Sequence, residues 1–416
     1  MSAPVTEVKV GLDFGLEVQP VGRLAIRNRV IYFEYNDAFI QKGLEISPFR
    51  LQLQRRVIEL PQQPFEGLAG VFNDSLPDGW GRLLFDRLMR SQGISPGDIS
   101  PLDRLAHVGS SGMGALVYEP DKSPADDQEN INLDHLAIQT EEVLQGSSED
   151  FIKALLALNG SSAGARPKAL VAISDDRKLI THGTGKLADG FESWLVKFAN
   201  TQDGQDAGAI EYVYALMAKQ AGVLLPEVHL FPSQKGAGYF AVKRFDREGN
   251  KRLHMHTASG LLHSDFRTPS LDYEDLLNLT GALTKDIREV EQMYRLAVFN
   301  VLAHNRDDHA KNFSFLMSEN GTWKLAPAYD LTFSSGPNGE QSTMVMGEGR
   351  NPKIKDLIKL GSDAKLSKSF VKETIDQTKD ALNGWSTLAK NHHVAKANVD
   401  LVNKALTNPI YQNSSL

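Results

Sequence analysis

The chain has no cysteine. That excludes disulfide scaffolds and thiolate metal sites. It has no apolar run approaching the length of a membrane span, and no secretory signal is visible at its start. It also lacks an excess of positive charge: 45 Lys and Arg face 52 Asp and Glu, for a formal net charge of -7 and a pI near 5.9. A chain this acidic is a poor autonomous binder of nonspecific DNA, although a local basic patch still permits contact within a larger complex. No internal repeat is evident. What remains is ordinary for a globular protein: 416 residues, 41% hydrophobic and 23% charged, enough for two or three units with real cores. The expected setting is the cytoplasm of a prokaryote, with no membrane role.

One stretch concentrates chemistry: His304-Asn305-Arg306-Asp307-Asp308-His309-Ala310-Lys311-Asn312, followed by apolar Phe313-Ser314-Phe315. Eighteen residues after Asn312, the run Leu325-Ala326-Pro327-Ala328-Tyr329-Asp330 ends in a lone acid. Phosphoryl transfer asks little covalent chemistry of a protein. It needs a carboxylate near the attacking hydroxyl and Mg²⁺ held by an amide and a second carboxylate. In protein kinases the base Asp and the metal Asn are about five residues apart on one loop, and a metal Asp follows. Asp307 and Asn312 have that spacing, Arg306 precedes Asp307, and Asp330 fits the second carboxylate. Asp308 competes with Asp307 for the role of base. His309 orders the loop or meets phosphate. Asn312 to Met317 alternates as a strand, Glu319-Asn320-Gly321 reads as a hairpin turn, and Trp323-Lys324-Leu325 reads as the return strand. Asn312 and Asp330 then flank one hairpin, close enough to share an ion. The bland alternative is a polar loop before a hairpin, with Asp330 capping a helix.

Upstream, Val8–Leu12, Val21–Ile26 and Ile31–Tyr35 read as short strands. Pro77 and Gly79 predict a turn and Asp78 a helix cap, before a helical face of Leu83, Leu84, Leu88 and Met89. His107 to Leu116 is glycine-rich, but it lacks a following Lys-Ser/Thr and runs into a strand, so it reads as a structural turn. The polar run 119–134 marks a boundary. After a helix over 151–158 comes Asn159-Gly160-Ser161-Ser162-Ala163-Gly164-Ala165-Arg166-Pro167-Lys168. Small residues let backbone N–H groups approach a phosphate. Because this loop opens a strand and not a helix, it fits a kinase-like lid better than a Walker A loop. A phosphate on Ser161 or Ser162 would add roughly -2 of charge and could hold the loop away from ATP. Lys197 lies in the apolar strand Ser193 to Ala199, either as an edge-strand cation or as the lysine that holds phosphates. Glu211, near the start of the next helix, either pairs with Lys197 or serves the helix dipole. The strand Gly238 to Arg247 stands where an inter-lobe hinge belongs, so backbone around Val242, Lys243, Arg244 and Phe245 would meet adenine, with Phe245 on its face. His254, His256 and His263 lack a carboxylate pattern that would complete a metal site. Ile287, Val290, Tyr294, Ala297, Val298 and Val301 recur at helical spacing, and 366–407 reads as two further helices.

In these segments the chain resembles the HipA toxins of bacterial type II toxin–antitoxin systems. The resemblance is carried by Asn73-Asp74-Ser75-Leu76-Pro77-Asp78-Gly79-Trp80, Gly109 to Leu116, Gly164 to Lys168, Asp307 to Ser314 and Pro327-Ala328-Tyr329-Asp330. It implies an α+β, HipA-like (protein-kinase-like) two-lobed fold: a β-rich N-terminal subdomain over 1–125, a small lobe over 126–247 and a mostly helical lobe over 248–416. It further implies an ATP- and Mg²⁺-dependent Ser/Thr protein kinase. Asp307 would be catalytic, and Asn312 and Asp330 would hold Mg²⁺. The nucleotide would meet Ser161, Ser162, Ala163, Gly164, Ala165, Lys197, Lys243, Phe245, His309, Asn312 and Asp330. Autophosphorylation falls on Ser161, or on Ser162. The implied partners are a helix-turn-helix antitoxin of the HipB type, operator DNA mainly through that antitoxin, and an aminoacyl-tRNA synthetase as substrate. Two other functions fit the residues: a DNA-bound subunit whose catalysis is dispensable, and a kinase of a non-protein acceptor.

Overall fold

The computed structural model describes residues 4–124, 130–146, 151–162, 164–200, 204–268 and 270–407. Its first sheet follows from alternation. Glu7–Asp13, Val18–Arg27 and Val30–Tyr35 are adjacent antiparallel strands, with Ile58–Glu59 at one edge and Leu116–Glu119 at the other. Every second residue, such as Val8, Val10 and Leu12, enters a core shared with Phe33, Phe39 and Phe72. That core runs on without a break into the C-terminal helical lobe.

The second sheet builds one wall of the site. Its order is Ile180–His182, Lys168–Ser174, Phe191–Lys197, Tyr239–Lys243, Val228–Phe231, and its pairings are antiparallel. The period of two sorts its side chains. Trp194, Val196, Tyr239 and Ala241 pack into the small-lobe core, while Leu195, Lys197, Phe240 and Val242 line a cavity on the other face. The helix Gly79–Ser91, although it lies between strands of the first sheet in sequence, gives Trp80, Leu84, Phe85 and Met89 to this second core.

The C-terminal lobe is mostly helical. Tyr273–Thr284 starts at a capping box formed by Asp272 and Asp275, and Ile287–Leu302 at the Asp286 side chain, which accepts from the Arg288 N–H. The second of these helices buries Val290, Tyr294, Ala297, Val298 and Val301 as the periodicity requires, but Ile287 is exposed because it sits in the first turn, beyond the edge of the core. The helix stops where His304 takes φ +54°. A three-stranded sheet of His254–Thr257, Ser314–Met317 and Trp323–Leu325 follows from the predicted hairpin. Asn312 is not part of that strand: Ala310–Asn312 is a 3-10 turn that sets it at the strand's entrance. The region 366–407 holds three helices and not two (Lys368–Asn383, Trp385–Asn391 and Lys396–Leu406), because Gly384 breaks the long apolar pattern. Among the described residues no helix is long and apolar enough to cross a membrane.

The three histidines are structural. His256 Nδ1 lies 2.6 Å from Asp74 Oδ2 and its Nε2 lies 3.0 Å from Ser47 Oγ. This Ser–His–Asp arrangement resembles a hydrolase triad, but Ser47 is 1% exposed and His256 0%, so no substrate reaches it. It ties the N-terminal part to the third sheet. His254 bonds the Ile46 carbonyl, and His263 accepts from the Gly70 N–H.

Candidate active site

A cavity of about 330 Å³ opens between the second sheet and the C-terminal lobe. Leu195, Ala215, Leu225, Val228, Phe240, Val242 and Leu331 make an apolar part of its lining, suited to a flat aromatic ring. The rest mixes charged side chains with small, polar and aromatic ones. Ser161, Ser162, Gly164, Ala165, Lys197, Lys243, Phe245, His309, Asn312 and Asp330 all line it; Ala163 lies outside the described residues. Phe245 packs on Tyr329 with ring centroids 5.4 Å apart, and the Lys243 ammonium turns to Glu192.

Lys197 is the hub. Its Nζ lies 2.5 Å from Glu211 Oε1 and 2.5 Å from Asp330 Oδ1. Of the two sequence readings of Glu211, the pairing with Lys197 is the one the fold adopts. Burial alone would push Lys197 down, but the carboxylates of Asp330 and Glu211 outweigh it and hold the ammonium up. Asp330 is held well below the usual carboxylate range: burial opposes this, and the charges of Lys197 and Lys168 overcome it. Glu211 is pushed up, chiefly by burial. Asp330 takes φ +58°, a left-handed conformation that Asp tolerates better than most residues, and this turns the chain just after the hairpin.

The segment 304–309 is irregular but firmly bracketed. Arg306 donates to the carbonyls of Gly339 and Arg350, and the Ser342 N–H returns to the Arg306 carbonyl. Asp308 is 1% exposed and accepts from Tyr273 Oη, Gln341 Nε2 and the N–H groups of Ser342 and Thr343. Burial pushes its carboxyl up to about 7 against those donors. Asp307, by contrast, is exposed and does not itself line the cavity; it adjoins it through Asn312, whose Nδ2 donates to the Asp307 carbonyl. Desolvation by neighbouring atoms raises its pKa; His309 opposes this and the charge of Asp330 adds to it. The two neighbours therefore separate by experiment. Asp307→Asn is expected to lose phosphoryl transfer by about 10²–10⁴ with unchanged stability. Asp308→Asn is expected to lose about 1–3 kcal/mol of stability, because its amide N–H₂ would face donors. Transfer rates and denaturant midpoints of both variants read this directly, and the reverse pattern would exchange their roles.

The donor set suits Mg²⁺. Asn312 Nδ2 donates to the Asp307 carbonyl at 2.6 Å, so the amide oxygen is the end left for a cation. Asp330 supplies an ionised carboxylate. Among the described residues no cluster of three or more His, Cys, Asp or Glu could cage a metal alone. Two protein oxygens completed by phosphate and water is the usual Mg²⁺ arrangement.

Lys168, Asp78, Lys311 and Phe266 also line the cavity, and the sequence reading assigned none of them a part in its chemistry. Lys168 is buried and pairs in register with Lys197 across the sheet. Burial and then the Lys197 charge lower its pKa to about 8. A further anion beside Lys168, such as a phosphate group, would raise it again and hold it charged. Only strand register reveals it. Asp78 makes no side-chain bond to its own helix, contrary to the expected cap. Instead it accepts from the Gly164 N–H and from Lys311 Nζ. Phe266 stacks near His309, with centroids 5.2 Å apart, from a loop without a sequence signature.

The HipA-like C-terminal domain matches residues 160–385, and the HipA N-terminal domain matches residues 12–119. The chain belongs to the HipA family. Y4dM of Sinorhizobium fredii is 26% identical over 430 residues, covering 94% of this chain and 95% of its own. The serine/threonine-protein kinase toxin HipA of Shewanella oneidensis is 27% identical over 292 residues, covering 62% of this chain and 60% of its own. The fold is that of a Shewanella oneidensis HipA solved with HipB and operator DNA, with a TM-score of 0.67 at 16% identity over 96% of this chain and 95% of that one. The α+β HipA architecture is thus the fold of this chain, matched over 96% of its length.

Proposed function

We propose that this HipA-family protein is an ATP-dependent Ser/Thr protein kinase acting as the toxin of a type II toxin–antitoxin system. The observation that carries the reading is the Lys197 ammonium held between Glu211 and Asp330, in a cavity that Asn312 shares. Lys197 and Lys168 bind the nucleotide phosphates, and the apolar part of the lining takes the base. Bound Mg²⁺ would supply charge neutralisation at the phosphates, with Asn312 and Asp330 as its protein ligands. Asp307 receives the proton of the attacking serine or threonine hydroxyl as the bond from that oxygen to the γ-phosphorus forms. The bond from phosphorus to ADP breaks, and the proton passes to solvent.

The acceptor in this reading is an aminoacyl-tRNA synthetase, such as glutamyl-tRNA synthetase, so that transfer inhibits translation. A HipB-type helix-turn-helix antitoxin is the partner that brings the protein to operator DNA, as in the solved Shewanella complex. Autophosphorylation of Ser161, or of Ser162, is the self-inactivating step. Both hydroxyls are buried: Ser161 Oγ accepts from the Met113 N–H at 2.7 Å, and Ser162 Oγ donates to the Asn159 carbonyl at 2.9 Å. A phosphoryl group on either oxygen would displace these bonds, so the modified loop would sit elsewhere and ATP would bind more weakly.

The test is transfer of labelled γ-phosphate, with Mg²⁺, into a lysate fraction holding all tRNA synthetases. One labelled synthetase band is the expected result. Label on this protein alone would remove the synthetase from the reading. No label from folded, unphosphorylated protein would overturn the kinase and favour a DNA-bound subunit.

A further inference from the structure

We propose that Asp78 is a positioning residue for phosphoryl transfer: its single carboxylate ties the phosphate loop, through the Gly164 N–H, to the catalytic segment, through the Lys311 ammonium. This rests on the kinase reading above and adds a part to it. An Asp at a helix start ordinarily serves the free N–H groups of its own first turn. Asp78 gives that up. One oxygen accepts from Gly164, 86 positions along the chain, and the other lies 2.8 Å from Lys311 Nζ, 233 positions along. Asp78 is 8% exposed and Lys311 7%. Buried ion pairs of this kind add little net stability over an apolar pair, and what they can contribute is a defined geometry.

The contacts around the carboxylate act in the same sense. The Trp80 N–H donates to the Gly164 carbonyl at 3.1 Å. Gly79 has φ +43°, and a Cβ there would stand 2.6 Å from the Ala165 Cα, so the helix start and the loop touch backbone to backbone. On the catalytic side, Lys311 precedes Asn312, and its carbonyl accepts from Tyr329 Oη at 2.5 Å, next to Asp330. The Lys311 ammonium also sits 4.7 Å from the Phe266 ring centroid. Asp78 therefore sets the distance between the loop that would cover the phosphates and the two residues that would hold the metal. Burial raises the pKa of Asp78, and Lys311 with the Gly164 N–H more than offsets it, which keeps the carboxylate charged.

Full-length protein carrying Asp78→Asn, Lys311→Met or both is the test. The readouts are ATP affinity, kcat and KM for labelled transfer with Mg²⁺·ATP and the synthetase fraction, and backbone hydrogen exchange over 159–168 without nucleotide. Each single variant is expected to lower kcat by about 10–100-fold with a smaller change in KM for ATP, and to raise exchange over 159–168. The double variant should be no worse than either single one, because both remove the same link. Losses that multiply, or kcat and exchange within twofold of the unmodified protein in both single variants, would overturn the proposal. If one variant fails to fold, the other breaks the link from its opposite end. Failure of the kinase reading would look different: the unmodified protein would bind no ATP, while exchange in the variants would still report the tether.

Discussion

An Asp330→Asn protein should lose phosphoryl transfer by at least about a thousandfold, on the order of 4 kcal/mol in the barrier, yet melt almost where the unmodified protein does. The two halves of this expectation come from the same contact. Asp330 is the carboxylate through which charge near the phosphates would be neutralised, and an amide of the same shape carries no charge to do so. Stability is another matter. Removing one member of a buried ion pair is costly when it strands the other. Here Lys197 keeps Glu211 at 2.5 Å, and Lys168 keeps the charges of Asp78 and Glu211, so no buried charge is orphaned. The loss of a second nearby anion also relieves Glu211, whose pKa the charge of Asp330 helps to raise. The change in stability should therefore stay within about 1 kcal/mol. Initial rates of labelled transfer and a thermal melt decide it. Transfer within tenfold of the unmodified protein would remove Asp330 from the site. A large fall in melting temperature would make Lys197–Asp330 a structural bridge first.

How much of this was legible in the sequence depended on how local each signal was. Asp307, Asn312 and Asp330 could be singled out because the proposed catalytic loop and its hairpin lie within one short stretch. The strands Glu7–Asp13, Phe191–Lys197 and Lys168–Ser174 were legible because alternation in the first, and a short apolar run in the other two, are properties of neighbours. The pairing of Lys197 with Glu211 could be named but not chosen, since a first-turn acid serves a helix dipole equally well. Lys168 and Asp78 escaped for the opposite reason. Lys168 matters only because strand register sets it across from Lys197. Asp78 sits where a cap belongs, and only the arrival of Gly164 and Lys311 gives it another task. Likewise Asn312 looked like the first residue of an alternating strand, and the 3-10 turn that displaces it closes through the Asn312 N–H on the His309 carbonyl.

Asp246→Asn should be the most destabilising single-atom change in the chain, costing about 3–5 kcal/mol. Asp246 is 0% exposed. It accepts from Arg244 Nη2 at 2.8 Å, from Arg247 Nη1 at 2.7 Å and from the Gly114 N–H at 2.7 Å. Asparagine leaves two buried guanidinium groups without an anion. The effect carries a pH signature. Burial raises the Asp246 carboxyl, but Arg244 and Arg247 outweigh it and hold it far below its ordinary value. A depressed native pKa contributes stability that is present above the unfolded value of about 3.9 and lost as pH falls below it. The gap between the two proteins should thus be full at neutral pH and shrink in acid. There is also a functional consequence, because this cluster shapes the glycine-rich turn. Arg247 and Arg252 hold the carbonyls of Gly112 and Gly114, and the Met113 N–H between them is what Ser161 Oγ accepts. Loosening Asp246 should free one end of the phosphate loop and weaken ATP binding even where the protein remains folded. Denaturant midpoints from pH 3 to 8, with nucleotide affinity measured at neutral pH, separate the two effects. A destabilised variant with unchanged ATP affinity would confine the cluster to holding the fold. A variant as stable as the unmodified protein would mean that the two arginines find other anions when Asp246 is neutral.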